Sequence, residues 1–105
     1  MVPHVETMRT VARRYADTVR REMANVDRIV LFGSVAKGSA RKVSDTDIAV
    51  FFSDLGDRDE FDVNVELILL TYGFKAGIEP LVFTVSDIDD DNPFVKEILK
   101  TGLEI

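Results

Sequence analysis

Asp45 and Asp47 stand one residue apart at the head of an apolar run that reaches Phe52, about a dozen residues after Gly33-Ser34. In an extended chain, residues two apart point to the same side, so both carboxylates can grip a shared metal cluster. Two adjacent anions beside an apolar strand repel each other and lose hydration, and bound divalent cations remove both costs. The chain has no cysteine and a single histidine, His4, near its start. A metal here is therefore held by oxygens, which favours Mg²⁺ or Mn²⁺ over zinc. Gly33-Ser34 closes an earlier apolar run. A glycine at a strand end lets the backbone approach an anion, and Ser34 with a short helical turn offers N–H groups and a hydroxyl to phosphate oxygens. This is not a Walker A loop, because Gly33-Ser34 and Gly38 lack the terminal Gly-Lys-Ser/Thr. Singly, Gly-Ser is a common turn and Asp-x-Asp an ordinary exposed pair. Together, across two short apolar runs, they lay out a metal–triphosphate site.

The rest of the chain supplies elements to hold that site. Val5, Met8, Ala12, Tyr15, Val19 and Met23 recur at three- and four-residue steps, which predicts an amphipathic helix from Pro3 to about Asn25. Arg9, Arg13, Arg14, Arg20 and Arg21 fall on its other surface, either as a solvated face or as a docking face or approach path for triphosphate. Arg28–Phe32 and Thr46–Phe52 are near-continuously apolar, as interior strands are, with a helical turn at Val35–Lys37 between them. Glu60–Tyr72 is a second helix closed by Gly73. It carries two apolar stripes, one through Phe61, Val65, Ile68 and Tyr72, the other through Val63, Leu67, Leu70 and Phe74. Such a helix is either deeply buried or presents its second side to another chain. Glu79–Val85 is a third strand, placed at an edge by Pro80. An acidic loop, Ser86–Asn92, and a last helix, Phe94–Thr101 stopped by Gly102, complete the order α-β-β-α-β-α.

With 105 residues, 46% of them hydrophobic, the chain fits one α+β domain over residues 1–105 with a small mixed sheet and helices packed on one face. No apolar run is long enough to cross a bilayer, and the absence of cysteine agrees with a cytoplasmic protein. The net charge of −6 is uneven: residues 1–42 sum to about +5 and residues 43–105 to about −11. An acidic whole argues against binding long nucleic acid, which depends on phosphate neutralisation.

Gly33-Ser34-x-x-x-Gly38 followed by Ser44-Asp45-x-Asp47-Ile48 resembles the signature of the nucleotidyltransferase superfamily that includes DNA polymerase beta. Its short form, with Ala36, Lys37, Ala40 and Arg41 between the halves, is similar to the minimal nucleotidyltransferases of bacteria and archaea. The resemblance implies the nucleotidyltransferase fold and transfer of AMP from ATP to a hydroxyl. It places nucleotide contacts at Gly33, Ser34, Gly38 and Ser44, and two Mg²⁺ ions on Asp45 and Asp47. Lys37, Arg41 and Lys42 are either triphosphate contacts or ordinary loop charges. The third carboxylate of the superfamily, commonly aspartate, matches Glu79, which is otherwise an exposed residue before an edge strand.

Minimal members commonly pair with an all-helical HEPN protein, the antitoxin adenylylating a tyrosine of the toxin. The resemblance therefore implies a HEPN-type partner, docked through the basic first helix or the two-sided second one. Two alternatives stand beside it. One is an antitoxin of weak or no activity that acts by binding alone. The other is transfer to a small molecule such as an aminoglycoside hydroxyl, for which a homodimer would build the acceptor pocket.

Overall fold

The computed structural model describes residues 3–38, 46–74 and 77–105. Helix α1 (Pro3–Glu22) leads into strand β1 (Val26–Phe32), the short helix α2 (Gly33–Lys37) and strand β2 (Thr46–Phe52). Helix α3 (Glu60–Leu70) runs on through a 3-10 turn (Thr71–Gly73) to strand β3 (Ile78–Thr84). The short helix α4 (Val85–Asp89), helix α5 (Pro93–Thr101) and strand β4 (Leu103–Glu104) complete the described fold. The sheet order is β3-β2-β1-β4, with β1 antiparallel to both β2 and β4, and β2 parallel to β3. The sheet is mixed, and β3 lies at its edge, as Pro80 requires.

Local chemistry sets the boundaries. Asn25, at φ 65°, turns the chain after α1, and its carbonyl accepts the Ser53 N–H at 2.8 Å, tying the start of β1 to the end of β2. Asp59 caps α3 by accepting the Asp62 N–H at 2.8 Å, and Asn92 caps α5 by accepting the Phe94 N–H at 2.9 Å, with Pro93 in the first turn. The expected acidic loop Ser86–Asn92 is in part helical. Thr84 and Asp87 form a capping box, the Thr84 N–H donating to Asp87 Oδ2 at 2.8 Å, so this aspartate starts α4 instead of only meeting solvent.

The sheet is covered on both sides, which corrects the expectation of helices on one face. On one side Ile29, Leu31, Ile48, Val50 and Phe52 pack with Ala12, Tyr15 and Val19 of α1 and Val63 and Leu67 of α3. On the other, Val30, Ala49 and Phe51 pack with Val95 and Ile98 of α5. These two residue sets alternate along the strands, as the pleat dictates. Gly102 lets α5 pass directly into β4: a Cβ there would collide with Val30 Cγ1 and stand 2.5 Å from the Ile98 carbonyl oxygen.

The largest buried polar side chain is Tyr15, whose hydroxyl donates to the Leu67 carbonyl at 2.6 Å and joins α1 to α3. Burial pushes its phenol well above the ordinary value of about 10. The proton is thus held more tightly folded than unfolded, so stability is complete below pH ~10 and falls as pH rises beyond it. Tyr15→Phe is expected to lower stability at neutral pH by about 1 kcal/mol, and this deficit should shrink or reverse near pH ~11. Urea unfolding at the two pH values checks it; a pH-independent difference between the two proteins contradicts it.

Candidate active site

The site begins with strand register. Phe32 is the Cα partner of Asp47, and Asp47 is the Cα partner of Glu79. Partners in neighbouring strands share a face, so Phe32, Asp47 and Glu79 form one row across β1, β2 and β3. The row lies on the α5 side, since Asp47 falls in step with Ala49 and Phe51, two and four residues on along β2. The intervening Thr46 is wholly buried on the other side, its backbone N–H donating to the Gly77 carbonyl at 2.7 Å. That bond ties the head of β2 to the head of β3, and the burial of Thr46 fixes which way Asp47 faces.

Gly33 follows Phe32 with φ +77°, a conformation that favours glycine. A Cβ built there would overlap Asp47 Oδ2, so the carboxylate packs against the bare glycine backbone. Ser34, half-buried, sits one residue further in α2. At the far end of α2, Gly38 at φ +77° closes the helix with its N–H on the Ser34 and Val35 carbonyls. Gly33, Ser34, Asp47 and Glu79 are thereby gathered from three strand ends. Lys37 is exposed in the last turn of α2. Asp45, Arg41, Lys42 and Ser44 lie outside the described residues.

Asp47 and Glu79 stand about one strand spacing, ~4.8 Å, apart at the backbone. Two carboxylates so placed repel each other, and a hard dication between them offsets that cost. The donor set fits such an ion: both groups supply oxygen, and the bare Gly33 backbone leaves room for the carboxylate that a Cβ would displace. Among the described residues no third acidic or histidine side chain joins them, and the further donor expected from the sequence is Asp45. An aromatic wall borders the row, with Phe94 edge-on to Phe32 at 6.0 Å and 6.3 Å from Phe83, which stacks on Phe51 at 5.1 Å. Such a wall lowers the local dielectric and strengthens charge interactions beside it.

Arg9 is the residue that sequence reasoning missed. Its Nε donates to the Val35 carbonyl at 3.2 Å and its Nη2 to the Ala36 carbonyl at 2.8 Å, clamping the C-terminal end of α2 to α1. Arg20 likewise donates to the Ile105 carbonyl at 2.5 Å. Neither belongs to a purely solvated face. No local pattern distinguishes them from the arginines beside them, because their partners lie 26 to 85 residues away.

The family model described as polymerase beta, nucleotidyltransferase matches residues 16–105. No curated protein matches the chain. Among solved structures, a Sulfolobus solfataricus protein assigned as a nucleotidyltransferase superposes with a TM-score of 0.72 at 18% identity, covering 98% of this chain and 83% of its own. A toxin–antitoxin structure with AMP-PNP gives 0.61 at 18% identity, covering 88% of this chain and 69% of the matched one. A complex of tri-AMPylated Shewanella oneidensis HEPN toxin with MNT antitoxin gives 0.60 at 17% identity, covering 92% and 70%. At these identities the likeness shows a shared fold.

Proposed function

Because the chain belongs to the polymerase beta nucleotidyltransferase family, we propose that it moves AMP from ATP, with Mg²⁺, onto a tyrosine hydroxyl of a helical HEPN-type toxin and so acts as its antitoxin. The observation that carries this reading is the pair Asp47 and Glu79, side by side in adjacent strands against the bare backbone of Gly33. The structural likeness to a tri-AMPylated HEPN complex and to a toxin–antitoxin pair with AMP-PNP supports the choice of acceptor and of nucleotide.

In this proposal Asp45, Asp47 and Glu79 hold the divalent ions. When bound, these neutralise phosphate charge and lower the pKa of the attacking hydroxyl. Gly33 lets the backbone approach the β- and γ-phosphates, and Ser34 donates its hydroxyl to them. The arginine clamp from Arg9 holds the α2 turn so that Ser34 keeps its place. The tyrosine oxygen attacks the α-phosphorus in line, one O–P bond forms as the bond to the β-phosphate breaks, and pyrophosphate leaves with the electron pair. The hydroxyl proton passes to solvent. Positioning and charge neutralisation supply most of the acceleration.

The test is an intact-mass measurement on this protein co-expressed with a HEPN-type partner and incubated with ATP and Mg²⁺. The expected result is a partner heavier by whole adenylyl groups, with no such species when Asp45→Ala and Asp47→Ala are combined and the complex still forms. A partner that is silenced yet unmodified overturns the reading in favour of neutralisation by binding. Adenylylation of an aminoglycoside without any partner overturns it in favour of a small-molecule acceptor.

A further inference from the structure

Helix α3 presents an apolar stripe that the fold leaves uncovered. Val63 and Leu67 face the core, whereas Phe61 is 74% exposed, Val65 38%, Ile68 39% and Tyr72 77%, with Leu69 beside them at 56%. Phe61, Val65, Ile68 and Tyr72 follow one another at steps of four, three and four, which keeps them on one face of the helix and its 3-10 extension. That series of steps reads the same in both directions. A two-fold axis level with the midpoint of Glu66 and Leu67 therefore sets Phe61 opposite Tyr72, and Val65 opposite Ile68, of a second copy. We infer that the protein pairs with itself through antiparallel α3 helices, each Phe61 packing on the partner's Tyr72.

Charge placement agrees with this occupant. In the antiparallel pair the nearest flanking carboxyls, the two copies of Asp62, stand about nine residue rises apart, or ~13 Å, which exceeds the Debye length in physiological salt. Along the same flank Asp62 neighbours Leu69, and along the other flank Asn64 neighbours Thr71, so no like charges oppose each other in the seam. Glu66 points away from it and pairs with Arg58 at 2.7 Å within its own chain.

Area also agrees. Phe61 and Tyr72 each leave about three quarters of a ring residue's 150–250 Å² open, and with Leu69, Val65 and Ile68 the stripe offers on the order of 500 Å² per copy. Two copies bury ~1,000 Å², the lower bound of a specific interface, so a dissociation constant in the micromolar range is expected. Val63 and Leu67 pack on the α1 side of the sheet, but the Phe61 end of the stripe shares a cavity with Leu81, Phe83 and Phe94, so the seam reaches round the β3 edge towards the aromatic wall beside Asp47 and Glu79. The inference rests on the exposure, spacing and area of the stripe, and not on the reaction proposed above.

Sedimentation equilibrium from micromolar to several hundred micromolar protein tests it. The expected result is a shift from the 11.8 kDa of one chain towards twice that mass. A Val65→Glu, Ile68→Glu chain and a Val65→Lys, Ile68→Lys chain should each stay monomeric, and an equimolar mixture of the two should restore the dimer. If either variant loses its helical circular dichroism, the chain's lack of cysteine permits a second route. Asn64→Cys with Thr71→Cys, which neighbour each other across the seam and leave Phe61 and Tyr72 in place, should then be joined into covalent dimers by a short bismaleimide. A single-chain mass over the whole range, a dimer that survives both acidic substitutions, a mixture that stays monomeric, or no cross-linked species would each overturn the inference.

Discussion

Asp47→Ala is expected to reduce nucleotidyl transfer at least about a thousandfold, equivalent to ~4 kcal/mol in the barrier, while the fold persists. The side chain that is lost packs on Gly33 and neighbours Glu79 at the edge of the core. Its removal opens no apolar cavity, so without metal the loss of stability should be the ordinary one for a single substitution, about 1 kcal/mol. Added Mg²⁺ separates them. An ion that binds only the folded site raises the melting temperature with concentration, and the wild-type protein should show that rise while Asp47→Ala does not. Pyrophosphate release and thermal unfolding with and without Mg²⁺ measure both effects. A variant that keeps its activity, or that still gains stability from Mg²⁺, removes Asp47 from the metal site. A variant that unfolds without metal shows instead that the carboxylate holds the Gly33 turn.

The parts of the fold that were legible in the sequence are those with periodic apolar faces. β1 and β2 announce themselves by unbroken apolar runs, and α1, α3 and α5 by spacing and end residues. The edge placement of β3 follows from Pro80. What escaped the pattern is short or non-local. β4 has two residues, too few for any period, and forms because Gly102 lets the chain turn back onto β1. Helix α4 has five residues, and its capping box was hidden among aspartates that read as a charge run. The second face of the sheet was missed because interior strands are apolar on both sides and do not say which helix covers which. Helix boundaries were also displaced: α1 stops at Glu22 before Asn25, and α3 gives way to a 3-10 turn after Leu70.

The candidate site was legible where chemistry and spacing coincide. Gly33 and Asp47 were singled out separately, and their contact follows from β1 and β2 being antiparallel neighbours in a register that pairs Phe32 with Asp47. No single stretch of sequence carries that register. The role of Arg9 was beyond reach for a related reason, since a guanidinium that caps carbonyls on another helix looks, in the chain, like one more surface arginine.

Glu79 is where the register matters most. Its neighbours Ile78 and Pro80 are buried while Glu79 is exposed, so a slip of one residue would bury the carboxylate and expose both apolar side chains. The pairing with Asp47 is therefore strongly specified, and the glutamate takes a position equivalent to Asp47 one strand further from Gly33. If Glu79 holds the proposed ions, its extra methylene gives the carboxyl the reach to span that offset. Glu79→Ala and Glu79→Gln are expected to lower transfer about a hundredfold, ~3 kcal/mol in the barrier. Glu79→Asp keeps the charge but shortens the reach, so it should retain intermediate activity and need more Mg²⁺ for half-maximal rate. Glu79 is exposed on an edge strand, so its replacement opens no cavity, and urea unfolding of each variant separates lost activity from lost stability. Rates over a Mg²⁺ titration for the three variants separate the two roles open to this residue. The ordering Glu, Asp, then Gln and Ala together identifies a metal-holding carboxylate. Three variants all near wild-type rate, alongside an inactive Asp47→Ala, would mean that Glu79 is only the exposed start of an edge strand and that the ions rest on the aspartates alone.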